Sequence, residues 1–285
     1  MSAQDSDAAP AGAWATDRRR LLFAGAVLLA LPVAARAAGE AVREADVTIP
    51  TPDGSADAVL FTPAGTGPWP AIILWHDLAG LRPVYRDMGR TLAAQGYVVL
   101  APNAFYRSAR ANGAELNMRD PQVRQRQTDY RAAATDEGIT RDAVAYMAYL
   151  DGLAQTAPQR KAGTLGYDVG ASYAFRAAAA LPERIAAVAC IHGLGVATPR
   201  PNSPHLLVAK SRAAYLVVQA RDDDAREPED KDDLRKVIAD AGLRGTVEIS
   251  AADHGFAVPG NARYDAAAAE RAWTAVLALF SATLR

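Results

Sequence analysis

Gly166-Tyr167-Asp168-Val169-Gly170 decides how this chain reads. The pentapeptide closes the short apolar run 163–167 and opens the small-residue stretch 171–180. A strand that runs at once into a helix needs a sharp turn, and small neighbours on either side allow the backbone to make it. Such an elbow presents one side chain at the carboxyl end of a strand. That side chain is usually Ser or Cys; here it is the carboxylate of Asp168.

Working outward, strands and helices alternate. Residues 41–49 and 56–61 read as a hairpin around Pro52-Asp53-Gly54, a strong turn signal. Buried-strand runs follow at 71–75, 97–101, 163–167, 185–191, 214–219 and 246–250, with helical stretches between them. The helical stretches include 84–94, a long segment 122–153 with Ile139, Ala143, Met147 and Leu150 at helical spacing, and a closing helix over 265–284. Near-continuous apolar strands separated by helices predict a mostly parallel central sheet of about eight strands, covered by helices on both faces. Residues 39–285 are expected to form one such α/β domain.

Residues 1–38 read differently. Arg18-Arg19-Arg20 is followed by the apolar run 21–33 and by Ala34-Ala35-Arg36-Ala37-Ala38, the order of an export signal with cleavage near Ala37. The paired arginines before Leu21-Leu22-Phe23 resemble a twin-arginine signal. The apolar run is shorter than the ~20 residues a bilayer span needs. Export by the twin-arginine machinery, signal removal and a periplasmic mature protein are the expectations.

The net charge of the 285 residues is −1, with 22% charged, so nothing draws the chain toward nucleic acid. Cys190 is the sole cysteine, which excludes an intramolecular disulfide, and it sits within an apolar strand. No metal-ligand spacing, phosphate loop or nucleotide fingerprint occurs; Gly193-Leu194-Gly195 lacks the third glycine. Neither cofactor nor metal is expected, and the partner is a small-molecule substrate. In a parallel sheet, sites form where loops converge at the strands' carboxyl ends. The polar residues there are His76 and Asp77, 103–107, Asp168, His192, 222–224 and Asp253-His254.

An elbow residue, then an acid, then a histidine is the chain order of an α/β-hydrolase triad. The motifs His76-Asp77-Leu78-Ala79-Gly80-Leu81, Arg86-Asp87, Gly96-Tyr97-Val98-Val99-Leu100-Ala101-Pro102, Tyr106-Arg107, the elbow itself, His254-Gly255-Phe256 and Tyr264 running into Ala272-Trp273 resemble the dienelactone hydrolase family. The resemblance spans residues 45–285 and implies an α/β-hydrolase fold. It also implies that His254 is the catalytic histidine and that Asp223 within 222–224 fixes its tautomer, with Asp222 the fallback. Val169 and Leu78 would supply oxyanion-hole N–H groups, Asp77 would lie close to the elbow, and Arg107 would hold a substrate carboxylate. A second such arginine is absent after Phe256, where Ala257-Val258 stand, and Arg263 is the nearest substitute. His76, His192 and His205 read as packing or surface histidines.

The elbow aspartate departs from the family's Cys or Ser. A carboxylate attacking an acyl carbon gives a mixed anhydride, which expels the better leaving group straight back. The same carboxylate is already ionised for attack on an sp3 carbon bearing a halide or an epoxide oxygen. The product is an alkyl-enzyme ester that water activated by His254 would hydrolyse. Such a reaction needs donors for the leaving group; Tyr85, Tyr106 and Tyr130 could protonate an epoxide oxygen, whereas Trp75 reads as core. One alternative is ester or lactone cleavage by His254-activated water. Another is a catalytically retired binding or scaffold protein, in which Asp168 is only a helix N-cap worth about 1 kcal/mol.

Overall fold

The computed structural model describes residues 42–284, so the expected export signal at 1–38 lies outside the described residues. The hairpin forms as β1 (Arg43–Thr51) and β2 (Gly54–Thr62), paired antiparallel around Pro52-Asp53. Then come β3 (Ala71–Trp75), α1 (Pro83–Ala94) and β4 (Val98–Pro102). The later strands are β5 (Ala162–Tyr167), β6 (Ile185–Ile191), β7 (Ala214–Gln219) and β8 (Gly245–Ile249). They form one eight-stranded sheet in the order β1-β2-β4-β3-β5-β6-β7-β8, parallel from β4 to β8.

Every residue of β3, β4, β5 and β7 is buried, as strands covered on both faces must be. One apolar core lies on each side of the sheet. Trp75, Tyr146, Phe175 and Tyr215 anchor one, and Phe61, Tyr97, Phe256 and Phe280 anchor the other. Trp75 donates its indole N–H to Thr164 Oγ1 at 2.9 Å, so its place in the core satisfies its polar edge.

The single helical stretch expected over 122–153 is two helices, α2 (Pro121–Ala133) and α3 (Asp136–Asp151). Thr135 breaks them because its hydroxyl accepts the Gly138 N–H at 3.1 Å and caps α3. Apolar spacing continues through such a break, so it is invisible to a periodicity argument. Helices α4 (Val169–Ala180), α5 (Arg221–Arg226), α6 (Asp230–Asp240) and α7 (Ala266–Leu284) complete the cover. Among the described residues, no helix is long and apolar enough to cross a membrane.

Candidate active site

The elbow forms at the end of β5, and its glycines are sterically required. A Cβ at Gly166 would stand 2.1 Å from the Gly170 carbonyl oxygen, and one at Gly170 would stand 2.5 Å from that of His76. Asp168 itself has φ 50° and ψ −116°. A non-glycine residue held there costs roughly 1–3 kcal/mol, a strain that clusters at functional sites. The N-cap alternative does not account for it, because the Asp168 side chain makes no capping hydrogen bond to α4. Instead Oδ2 accepts the Leu78 backbone N–H at 3.0 Å. The Leu78 N–H, expected as an oxyanion donor, is thus occupied by the carboxylate itself. Val169, the other expected donor, is the first residue of α4.

His254 stands on the loop after β8. Its Nδ1 lies 2.7 Å from Asp223 Oδ2, and its Nε2 lies 3.5 Å from Asp168 Oδ1. The longer distance is a charge contact across which a hydrogen bond is poorly formed. Of the three aspartates, Asp223 holds the ring, Asp222 accepts the His254 backbone N–H at 2.7 Å, and Asp224 pairs with Lys231. Asp223 also pairs with Arg226. Burial works to lower the His254 pKa, but the carboxylates of Asp168 and Asp223 outweigh it and hold the ring up to about 10. The resting histidine is thus an imidazolium between two carboxylates.

Asp168 opens onto a cavity of about 390 Å³ whose walls include Leu78, Arg82, Leu116, Arg119 and Asn261. Asp77 also lines it, as expected, but both its oxygens are taken by the buried Arg82, at 2.5 and 2.9 Å. Arg107 does not belong to this wall, contrary to expectation. Its guanidinium is spent on Asp53 and Asp142, with Nη1 2.7 Å from the fully buried Asp142. Two acids that lie 54 and 35 positions away in the chain, invisible in a local motif, engage all three nitrogens of its fork. Arg119 instead lines the cavity and makes no ion pair among the described residues. Asn117 and Asn261 line it as well. These three had no signal in the sequence beyond lying in loops.

Other candidates are accounted for by local bonds. Tyr106 shares its hydroxyl with Thr51 and Asp142, Tyr85 accepts the Asp77 N–H, and Tyr130 lines a neighbouring cavity. Arg263 pairs with Asp222. Ser172 donates to the Val169 carbonyl and faces the interior. His76 is buried between Asp77 O and the Ala104 N–H, and His205 bonds Ser203. His192, also read as a packing residue, lies with its ring centroid 5.0 Å from that of His254.

A strained acidic elbow, an imidazole held by a second acid and an eight-stranded, mostly parallel sheet are all seen together here. The dienelactone hydrolase family model matches residues 56–284. The carboxymethylenebutenolidase of Rhodococcus opacus is 28% identical over 67% of this chain and 71% of its own. Two solved structures share the fold. A dienelactone hydrolase-like promiscuous phosphotriesterase from metagenomic libraries has a TM-score of 0.71 at 19% identity, covering 86% of this chain and 100% of that one. The dienelactone hydrolase from Anabaena variabilis has a TM-score of 0.57 at 19% identity over the same shares. With its match running from β2 through α7, the chain has the α/β-hydrolase fold, belongs to the dienelactone hydrolase family and is a hydrolase.

Proposed function

We propose that this hydrolase works through Asp168, His254 and Asp223 by transferring an alkyl group onto Asp168 and then hydrolysing the ester. The observation that carries this reading is the position of the Asp168 carboxylate. One oxygen rests on the Leu78 N–H and the other lies free of hydrogen bonds, 3.5 Å from His254. An ester substrate would have to displace that oxygen before its own carbonyl could be polarised there. A carboxylate so held needs no proton removed to attack a carbon bearing a leaving group.

The cavity supports a carbon–halogen substrate that also carries an anion, such as a 2-haloacid. Arg119 supplies a guanidinium for a carboxylate, and Asn117 and Asn261 supply amide donors for a departing halide. No tyrosine lines this cavity, so a phenol to protonate an epoxide oxygen is lacking. Single turnover with bromoacetate, followed by mass analysis of the protein, tests the reading: an added carboxymethyl group on Asp168 is expected, and its absence with halide release intact contradicts it.

The charge state of His254 has consequences in both directions of pH. An imidazolium cannot take a proton from water, so direct ester cleavage through His254 would gain rate only as pH approaches about 10. Alkylation of Asp168 removes one of the two negative charges that hold the proton, so the imidazolium releases it to solvent and the neutral ring acts as the base in the second step. Stability follows the same linkage. The folded ring binds its proton more tightly than an unfolded histidine, whose pKa is ordinarily about 6.5. This contribution is therefore full below pH 6.5 and is lost as pH rises through about 10. The melting temperature is expected to fall between pH 7 and 10, and Asp168→Asn should flatten that slope. An equal slope in both proteins would contradict the assignment.

We further infer that the protein is exported through its twin-arginine-type segment. Arg19→Lys with Arg20→Lys should retain the chain in the cytoplasm of a bacterial host, while the unaltered chain is recovered from the periplasm, shortened to near Ala38. Full-length protein in the cytoplasm in both cases would overturn this.

A further inference from the structure

His192 follows Ile191 at the end of β6, and Ile191 is the register partner of Tyr167 on β5. His192 and Asp168 are thus side by side on adjacent strand ends. They are also the only two non-glycine residues with positive φ among those described, 39° and 50°. His192 is 1% exposed, and its ring stands edge to face with His254 and Phe256 at 5.0 and 5.4 Å and tilted against Tyr167 at 5.8 Å. Neither of its ring nitrogens has a hydrogen-bond partner in another residue of the described chain.

A buried ring whose nitrogens meet no other residue carries a penalty that phenylalanine in the same place would not incur. The wall behind His254 already has Phe256, so packing alone does not call for an imidazole. The nearby Asp168 Oδ1 is likewise buried without a hydrogen bond. Buried water is held by two to four polar partners. His254 Nε2 lies 3.5 Å from Asp168 Oδ1 and the His192 ring lies 5.0 Å from that of His254 between centroids, so three polar groups border the carbon that a hydrolytic water must attack.

We propose that His192 holds the water that cleaves the Asp168 ester, an assignment that rests on the alkyl-transfer reading above. The water oxygen bonds to Asp168 Cγ while His254 Nε2 takes one of its protons; the other hydrogen is held by the unprotonated nitrogen of His192. The charge that forms on Oδ2 is received by the Leu78 N–H. Collapse breaks the Cγ–Oδ1 bond, and the alkoxide leaves with the proton from His254. The new carboxylic acid then gives its proton to His254, which restores the resting ion pair.

His192 is well fitted to this. Burial and the neighbouring His254 lower its pKa to about 3, so the ring is neutral, with one donor and one acceptor. The groups facing it are Tyr167 and Asp168 from β5 and the elbow, His254 and Phe256 from the loop after β8, and Asp222 from α5.

The test separates the two chemical steps by rapid quench and mass analysis with bromoacetate. His192→Phe keeps the wall and removes both nitrogens. It should alkylate Asp168 within twofold of the wild-type rate and hydrolyse the ester about tenfold more slowly or worse, so that alkyl-enzyme accumulates. It should stay folded and melt close to the wild-type temperature, because the ring's nitrogens hold no other residue. His192→Gln, which restores a donor and an acceptor, should recover hydrolysis over His192→Phe. Wild-type ester hydrolysis in His192→Phe, or no advantage of Gln over Phe, overturns the proposal while leaving the alkyl-transfer reading intact. Absence of any alkyl-enzyme in wild type and in His254→Ala removes both.

Discussion

His254→Ala is expected to accept one alkyl group and stop. Asp168 attacks as a carboxylate, and removal of the imidazole leaves its nucleophilic oxygen in place while Leu78 still holds the other at 3.0 Å. The second step fares differently. Water must lose a proton as it attacks Cγ, and a positioned general base contributes typically ~10²–10⁴-fold to such a step. No other base contacts Asp168 Oδ1 among the described residues; Asp223 reaches it only through the ring. Steady-state turnover should fall by about that factor, and intact-mass spectra should show stoichiometric adduct. Asp223→Asn should be milder, since it leaves the ring in place and removes the acid that fixes its tautomer. Loss of alkylation itself in His254→Ala would contradict the division of labour.

Arg82→Met is expected to be among the most destabilising single substitutions. Asp77 and Arg82 are both buried and form a two-pronged ion pair, and Asp77 Oδ1 also accepts the Ala79 N–H. Removal of one partner leaves an uncompensated buried charge, which costs about 3–5 kcal/mol. For a domain of this size that is a loss on the order of 10 °C in melting temperature. Because the pair braces the turn carrying Leu78, activity should fall further than stability alone explains. Pairing Arg82→Met with Asp77→Leu should recover much of the stability, since the orphaned charge is then gone. A loss below about 1 kcal/mol for the single variant would show the pair to be solvated in solution.

The strands of this fold were legible because burial on both faces writes them as apolar runs. Six of them, from 71–75 to 246–250, fall within about a residue of the observed elements. The elbow was legible for a similar reason: Gly166 and Gly170 stand where no Cβ fits. His254 and Asp223 were singled out by the family resemblance, with Asp222 as the fallback, and their side chains lie 2.7 Å apart. What the sequence concealed is long-range pairing. Arg107 carries the right side chain at the right motif position, yet Asp53 and Asp142 consume it. Arg119 lies in an irregular loop with no periodicity to mark its direction. His192 sits beside an apolar run, and only strand register puts it level with Asp168. The break at Thr135 was hidden because capping needs one hydroxyl, which apolar spacing does not record.

The fate of one oxygen atom decides whether Asp168 is the nucleophile. A single turnover of bromoacetate in ¹⁸O-water, followed by peptide mass analysis, should place the label in the Asp168 carboxylate and leave the released hydroxyacid unlabelled. Label in the hydroxyacid with an unlabelled Asp168 would mean that water attacks the substrate itself, and that this carboxylate is no nucleophile.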